Sequence, residues 1–251
     1  MIVGFCTTCR DRRWQLEQTL PVNLELLRGT PHFLAVVDYN SGDDVASLLR
    51  AQDEHRRAGR LISFRTEEPA SFHMSCAKNA AHRLALRRGP DVLFNLDADN
   101  FLHADTLTAI GDLFARRQGV YLHNWSGQWG DGTMGRIALR AQDWVDLGGY
   151  DESFLPMSWQ DADLMTRCRA VGLGYVHDGS GCGRPVANTI EQKLASVRRP
   201  DQAQGLSSRQ ALALFTEANF VASLRRPVRL PLDEQRRFRG RLDFGPEDVE
   251  V

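Results

Sequence analysis

Two aspartates one residue apart follow a short, mostly apolar run near the middle of the chain. Val92 to Leu96 suits a strand buried in a parallel sheet, and Asp97 and Asp99 come where that strand ends. Side chains at positions i and i+2 of an extended segment point the same way, so the two carboxylates crowd together. Crowded carboxylates favour a hard divalent cation such as Mg²⁺ or Mn²⁺, which also binds phosphates. A solvated loop or a helix cap is the plainer alternative, since Asp105 and Thr106 follow.

Strand candidates alternate with helix candidates through the first hundred residues. The predicted strands are Ile2–Thr7, Phe33–Val37, Leu61–Arg65 and Val92–Leu96. The predicted helices between them are Trp14–Leu27, Val45–Ala58 and Ser75–Arg87. This alternation favours a parallel sheet built from right-handed crossovers, and in such sheets ligands bind just beyond the carboxyl ends of the strands.

The second half of the chain is less regular but continues the α/β pattern. Its predicted elements are Tyr121–Asn124, a glycine-rich turn at 127–135, Ile137–Arg140, and then Ala141–Leu147, Leu164–Ala170, Leu173–Val176 and Gln210–Leu224. No internal repeat or low-complexity linker divides the chain, so we predict one continuous α/β domain over residues 1–224. Arginines dominate residues 225–251, which we expect to form a solvated, partly disordered basic tail with at most weak contact to an anionic membrane surface.

Composition narrows the class of protein. The chain has 251 residues, of which 42% are hydrophobic and 25% charged, so it can bury a large core. Its formal net charge of -1 gives no bias towards nucleic acid. No run of eighteen apolar residues and no basic leader is present, and the five cysteines include only one C-x-x-C, at Cys6 and Cys9. We expect a cytoplasmic protein with free thiols and no transmembrane segment.

Five motifs occur in an order that resembles a known enzyme family. They are Cys-Thr-Thr-Cys-Arg-Asp-Arg (6–12), Val-Asp-Tyr-Asn-Ser-Gly-Asp (37–43), Ala-Lys-Asn-Ala-Ala (77–81), Leu-Asp-Ala-Asp (96–99), and Gly-Gly-Tyr-Asp-Glu-Ser-Phe followed by Trp-Gln-Asp-Ala-Asp (148–163). Together they resemble glycosyltransferases of the GT-A fold, closest to family-2-like enzymes. The last motif is similar to the carboxy-terminal pattern of galactosyltransferases and N-acetylgalactosaminyltransferases.

The resemblance covers residues 2 to about 180. It implies a Rossmann-like, mostly parallel central sheet flanked by helices, with residues 1–100 as the nucleotide-binding half and residues 101–224 as the acceptor-binding half. The implied partners are a nucleoside-diphosphate sugar donor and an acceptor that carries a hydroxyl group.

The resemblance also implies where the donor nucleotide lies. Thr7, Thr8 and Arg10 would meet the nucleoside and diphosphate, and Asp38 would contact the base or ribose. Lys78, on the first turns of a helix, would neutralise phosphate charge together with the helix dipole. Each has a plainer alternative: strand-end capping for the first three, an ordinary turn for Asp38, and a solvated surface position for Lys78.

Metal binding is implied for the acidic pair. Asp99 would ligate the cation directly, and Asp97 would contact the ribose or a metal-bound water. His177 matches a family histidine and is a candidate third ligand, although a hard cation prefers oxygen. The cofactor would be Mn²⁺ or Mg²⁺, which neutralises the departing diphosphate.

The second acidic cluster is implied to serve the acceptor. Asp161 matches the family's general base, and Gly149 lies in the turn that lines the donor and acceptor cleft. Trp159 is a candidate for stacking on a sugar face, with Asp163 beside it. Helix capping is the alternative for both aspartates. The family often has glutamate where this chain has Gln160, which leaves one candidate base.

Two further segments are candidates for substrate contact. Trp125 and Trp129 could also stack on a sugar, although a tryptophan is at least as common in a core. The glycine-rich loop at 179–188, which contains Arg184, could close over the diphosphate.

The combined hypothesis is a metal-dependent hexosyltransferase that moves a sugar, from a UDP-sugar in the first instance, to a hydroxyl with inversion. A retaining transferase of the same fold and a non-catalytic sugar-nucleotide-binding protein are alternatives. A nucleotidyltransferase is a further alternative, but it usually carries a glycine-rich phosphate loop near the amino terminus, where residues 1–20 have one glycine.

Overall fold

A computed structural model describes residues 1–251, and its nine strands form a single sheet. The first half contains β1 (Val3–Cys9), α1 (Arg13–Leu26), β2 (Phe33–Tyr39), α2 (Val45–Arg50), α3 (Asp53–Arg57), β3 (Leu61–Thr66), α4 (Met74–Leu86), β4 (Val92–Asn95) and α5 (Ala104–Arg116). The remainder contains β5 (Val120–His123), β6 (Ile137–Arg140), α6 (Ala141–Leu147), α7 (Gln160–Ala170), β7 (Gly174–His177), α8 (Ile190–Leu194), α9 (Ser208–Ser223), β8 (Arg239–Leu242) and β9 (Asp248–Glu250). Single 3₁₀ turns occur at Asp201–Ala203 and Leu232–Glu234.

The strand order across the sheet is β7-β5-β6-β4-β1-β2-β3-β8-β9. β1 to β4 pair in parallel, while β6 and β8 run opposite to them, and β5, β7 and β9 regain the common direction. The predicted α/β class and mostly parallel central sheet flanked by helices are therefore confirmed. Since most strands point the same way, the segments that follow them meet at one edge of the sheet.

The central strands are apolar on both faces because helices cover both faces. All seven residues of β2 are buried. Leu34 and Val36 point into the hydrophobic cluster formed with α1 and α5. Ala35 and Val37 point into the cluster on the opposite face, formed with α4, α6 and α7. The period of two in β2 thus produces a three-layer arrangement with a core on each side.

Two predicted helices have different limits in the structure. The segment predicted as one helix from 45 to 58 divides into α2 and α3, with Asp44 capping α2 by accepting a hydrogen bond from the Ser47 backbone N–H at 3.0 Å. α7 begins at Gln160 rather than at Leu164, so Asp161 and Asp163 lie within its first turn. None of the helices combines the length and the apolar character that a membrane span requires.

The carboxy-terminal segment is part of the sheet. β8 pairs with β3 in antiparallel fashion, and β9 pairs with β8. Phe238 and Val251 are buried in the same hydrophobic cluster as α4, and Phe238 packs edge-on against Tyr39 with ring centroids 5.2 Å apart. The prediction of a solvated, partly disordered tail is wrong, because these apolar side chains, spaced between arginines, dock onto an otherwise open sheet edge.

Replacing Phe238 with alanine should lower the free energy of unfolding by about 3–5 kcal/mol, the usual cost of truncating a buried phenylalanine. Urea unfolding of the purified protein measures this. Leu224→Ala is the matched control because Leu224 is 69% exposed, whereas Phe238 is 1% exposed. A loss for Phe238→Ala no larger than that of the control would show that residues 238–251 do not belong to the core.

Candidate functional site

A cavity of about 150 Å³ lies at the edge of the sheet where β1 and β4 end. Among its lining residues are five of the residues predicted to bind the donor or a metal: Thr8, Arg10, Lys78, Asp97 and Asp99. They come from three separate segments, at the end of β1, on α4 and after β4, which the parallel sheet brings to one edge.

The acidic pair faces this cavity and is only partly compensated by hydrogen bonds. Asp97 accepts one from the Asn95 side chain at 3.0 Å. Asp99 accepts one from Asn100 at 2.7 Å and one from Asn188 at 3.0 Å. Burial and the negative charge of Asp97 raise the pKa of Asp99 to about 6. A cation between the two carboxylates would remove this cost.

The oxygen atoms at this place fit a hard divalent ion that shares its coordination with a substrate. No group of three or more histidine, cysteine or acidic side chains is close enough to enclose a metal. Mg²⁺ and Mn²⁺ do not require such a cage, because they are commonly held by one or two carboxylates, with phosphate oxygens and waters completing the shell. Asp97 and Asp99 would supply those carboxylates.

His177 lies apart from the acidic pair. It ends β7, is exposed, and its Nε2 is 2.9 Å from the backbone oxygen of Trp125. It does not line the cavity that contains Asp99. The structure therefore does not bring the predicted third ligand to the metal site, in agreement with the oxygen preference of hard cations.

Lys78 is buried between two carboxylates. Its side chain is 2% exposed, and its Nζ lies 2.7 Å from Asp161 Oδ1 and 3.7 Å from Asp97 Oδ1. Burial lowers the pKa of Lys78, but the two carboxylates outweigh burial and leave the pKa above its ordinary value. Lys78 is thus a charged link between the two acidic clusters and not a solvated surface lysine.

The cavity has further polar lining residues that were given no individual role from the sequence, although Asn188 ends the loop at 179–188 that was predicted to close over the diphosphate. Among them are Arg12, Gln15, Asn188 and Lys193. Arg12 and Gln15 follow Arg10 closely, so their place after β1 was a usable signal. Asn188 lies in the loop before α8 and Lys193 in α8, and the Val186 N–H ties this segment to the Asp99 backbone oxygen at 2.8 Å. Nothing in the local sequence indicates that contact.

Two predicted donor-binding residues do not line the cavity. Thr7 is buried and its hydroxyl donates to the Leu96 carbonyl at 2.7 Å, which ties β1 to the end of β4. Asp38 is fully buried, pairs with Arg65, and accepts from the Ser41 N–H at 3.0 Å. Burial raises the pKa of Asp38, and the contacts with Ser41 and Arg65 only partly offset this. Both residues are corrected to structural roles at strand ends.

Asp163 also differs from its predicted role. It is buried in an ion pair with Arg167, one helical turn later, at 2.7 Å. Arg167 additionally donates to the carbonyls of Leu147 at 3.0 Å and Gly149 at 2.6 Å. Asp163 therefore fastens α7 to the turn after α6, and the structure does not present it to an acceptor.

Gly149 is required by packing in that same turn. Its φ is +70°, and a Cβ there would lie 2.6 Å from both Asn79 Oδ1 and the Trp144 ring. Any other residue would clash and be strained. The structure thus accounts for Gly149 without the acceptor contact predicted for it.

The start of α7 is held in a strained conformation by α9. Ser158 and Trp159 both have positive φ, 76° and 71°, which costs energy for residues other than glycine. Asn219 of α9 donates to the Ser158 carbonyl at 2.8 Å, and Ser223 accepts from the Trp159 indole at 3.2 Å. The Trp159 ring packs against Phe220, with centroids 4.9 Å apart. α9 thereby fixes the position of Asp161, while the predicted sugar-stacking face of Trp159 contacts Phe220.

Comparison with solved structures identifies the fold. A Drosophila β1,4-galactosyltransferase 7 mutant in complex with manganese, UDP-Gal and xylobiose matches with a TM-score of 0.57 and 12% identity, over 94% of this chain and 84% of that one. The mannosyltransferase PcManGT from Pyrobaculum calidifontis, in complex with GDP-Man and Mn²⁺, matches with a TM-score of 0.58 and 16% identity, over 92% and 77%. This protein has the GT-A fold.

A third GT-A structure is similar to the same extent. S. aureus TarS in complex with UDP matches with a TM-score of 0.59 and 14% identity, over 94% of this chain and 77% of that one. No protein-family model and no curated protein sequence matches the chain. Similarity at these low identities shows the fold and not the function of the chain.

The raised pKa of Asp99 predicts a pH dependence of stability in protein freed of metal by a chelator. The carboxyl of Asp99 binds its proton more tightly in the folded state than in the unfolded state. Its titration therefore lowers the free energy of unfolding as the pH rises from 3.8, the ordinary pKa of an aspartate, to about 6, the raised pKa of Asp99. Asp99→Asn should remove this part of the slope. Urea unfolding from pH 4 to 7 measures it, with Asp112→Asn, an exposed carboxylate, as control. Parallel curves for wild type and Asp99→Asn would contradict the assignment.

Proposed function

We propose that the protein is a metal-dependent glycosyltransferase that moves a sugar from a nucleoside-diphosphate sugar, with UDP as the preferred nucleotide, to a hydroxyl acceptor with inversion. The observation that carries this proposal is the cavity at the carboxyl edge of the GT-A sheet, where the Asp97 and Asp99 carboxylates meet several cationic side chains. Similar GT-A structures contain UDP-Gal with manganese, GDP-Man with Mn²⁺, and UDP, which supports a nucleotide at this edge.

The charges around the cavity suit a diphosphate with a cation. Four basic side chains line it, namely Arg10, Arg12, Lys78 and Lys193, against the two aspartates. The basic groups would neutralise phosphate oxygens, while the aspartates need a cation of their own. A divalent ion bound to Asp97 and Asp99 would stabilise the negative charge that builds on the leaving diphosphate.

Asp161 is the residue we assign as general base. Its side chain is 19% exposed, and its Oδ1 contacts Lys78, which lines the donor cavity. In the transfer the acceptor oxygen attacks the anomeric carbon as the bond from that carbon to the phosphate oxygen breaks. The diphosphate leaves with the electron pair, and the acceptor proton passes to Asp161. One displacement of this kind inverts the anomeric configuration.

Gln160 does not provide a second base or a nucleophile. Its side chain is buried and its amide donates to the Leu155 carbonyl at 3.2 Å. Asp161 is then the carboxylate of this motif that is left to act as base, and the displacement proposed above inverts the anomeric configuration. Nuclear magnetic resonance of the product anomer tests the stereochemistry directly.

Lys78 would couple donor binding to the base. Its ammonium group contacts Asp161 and lies close to Asp97. A bound diphosphate offers Lys78 another anionic partner in the same cavity, and a shift of the ammonium towards phosphate would free Asp161 for the acceptor proton. Donor binding would then precede productive acceptor binding.

Removal of the metal ligand should abolish metal-dependent nucleotide binding. Asp99→Ala should lose the rise in thermal unfolding midpoint that UDP and Mn²⁺ together give the wild type, because a ligand stabilises only the state it binds. Differential scanning fluorimetry with UDP, with and without Mn²⁺, measures this. Asp112→Ala controls for loss of a carboxylate elsewhere, and an undiminished shift in Asp99→Ala would refute the metal site.

Removal of the base should spare binding and remove turnover. Asp161→Asn keeps an oxygen that accepts from Lys78, so the shift with UDP and Mn²⁺ should remain. Hydrolysis of UDP-glucose, UDP-galactose or UDP-N-acetylglucosamine, in which water replaces the acceptor, should fall roughly 10²–10⁴-fold. The release of UDP measures this rate. A wild-type rate in the Asp161→Asn variant would show that Asp161 is not the base.

A further inference from the structure

An exposed aromatic surface lies close to the candidate active site. Trp129 is 71% exposed, more than any other large hydrophobic side chain of the protein. Its ring meets Trp125 edge to face, with centroids 5.3 Å apart, and Trp125 in turn stacks on His123 at 5.2 Å and an interplanar angle of 15°. Trp129 is exposed, Trp125 is half-buried and His123 is buried, and we call these three rings the aromatic platform.

The platform is held by polar contacts of its own loop. The Trp125 indole donates to the Gln128 carbonyl at 3.2 Å, and His177 contacts the Trp125 backbone oxygen at 2.9 Å. Asp131 accepts from the Thr133 N–H at 2.8 Å. These contacts order the loop around two neighbouring tryptophan rings, and a contiguous exposed aromatic patch is typical of a binding surface.

The loop of the platform adjoins the donor side of the proposed site. A polar cavity of about 470 Å³ begins at its loop, and this cavity shares Asp99, Gly132, Asn188 and Lys193 with the donor cavity. The loop that carries Trp129 therefore borders the donor cavity through the second, polar cavity.

The chemistry of this surface matches a sugar. A pyranose ring has an apolar C–H face that packs on an aromatic ring, and hydroxyls around its rim that need hydrogen-bond partners. The adjoining cavity supplies such partners in Ser126, Gln128, Asp131 and Arg184. The loop from 124 to 132 contains one aspartate and no lysine or arginine, which disfavours an anionic membrane surface as the ligand.

We propose that the acceptor is itself a carbohydrate, one ring of which stacks on Trp129 while its hydroxyls reach into the adjoining polar cavity. The identification of this sugar as the acceptor rests on the glycosyltransferase function proposed above. Binding of a carbohydrate to the platform does not require the donor and is measured separately.

Saturation-transfer difference nuclear magnetic resonance with cellobiose, maltose, lactose and N,N′-diacetylchitobiose tests this proposal on the full chain. At least one disaccharide should bind the wild type. Trp129→Ala and Trp129→Leu should weaken that binding at least about fivefold, as truncation of an aromatic anchor does. Trp129→Phe, which restores a ring face, should recover most of it.

Matched controls separate stacking from general damage. Leu224→Ala removes a side chain that is 69% exposed at the end of α9, and it should bind as the wild type does. Trp129 is also exposed, so its variants should keep the wild-type unfolding midpoint. Equal affinity of Trp129→Leu and wild type would overturn the proposal, because leucine keeps the apolar surface but not the ring face.

Failure of this inference is distinguishable from failure of the proposed function. If UDP and Mn²⁺ bind but no disaccharide does, the carbohydrate platform is refuted and the transferase proposal is untouched. If a disaccharide binds through Trp129 but no nucleotide binds, the platform is a carbohydrate site and the acceptor assignment fails. Binding to phosphatidylcholine vesicles that is lost in Trp129→Leu, with no disaccharide bound, would replace the sugar with a lipid surface.

Discussion

The buried ion pair of Lys78 with Asp161 connects the two halves of the candidate active site. A lysine with 2% exposure loses most of its hydration, and it remains charged because Asp161 and Asp97 lie on either side of it. The same contacts place α4, the segment after β4 and the first turn of α7 at fixed separations. The distance between the donor cavity and the proposed base is thus set by one ammonium group.

The sheet determines which segments meet around that group. Parallel strands deliver the residues after β1 and β4 to a common edge, while β6 runs the other way and brings the loop before it, with Gly132, to the same place. Polar loops can therefore line the cavity without interrupting the two apolar layers. The chemistry of the site and the stability of the core depend on different residues, apart from those that fasten α7.

Local patterns in the sequence were sufficient to predict the central strands and helices of the fold and the position of the acidic pair at the end of a strand. Asp97 and Asp99 follow a strand that the apolar run identifies, and Lys78 follows a helix start. Asn188 was predicted only as the end of the loop at 179–188, and its contact with Asp99 could not be found in this way because it joins segments 89 residues apart. Asp38 was assigned to the nucleotide because nothing near it in sequence reveals Arg65 as its partner. Phe238 was overlooked for a similar reason, since docking onto an open strand edge is a tertiary event.

The left-handed residues at the start of α7 have a consequence for synthesis of the chain. Ser158 and Trp159 have positive φ, and Asn219 and Ser223 provide the contacts that hold them in place. Asn219 and Ser223 lie some sixty residues further along the chain than Ser158 and Trp159, so they leave the ribosome later. A nascent chain can form its first four strands early, yet it acquires a correctly aimed Asp161 only after α9 has emerged and docked.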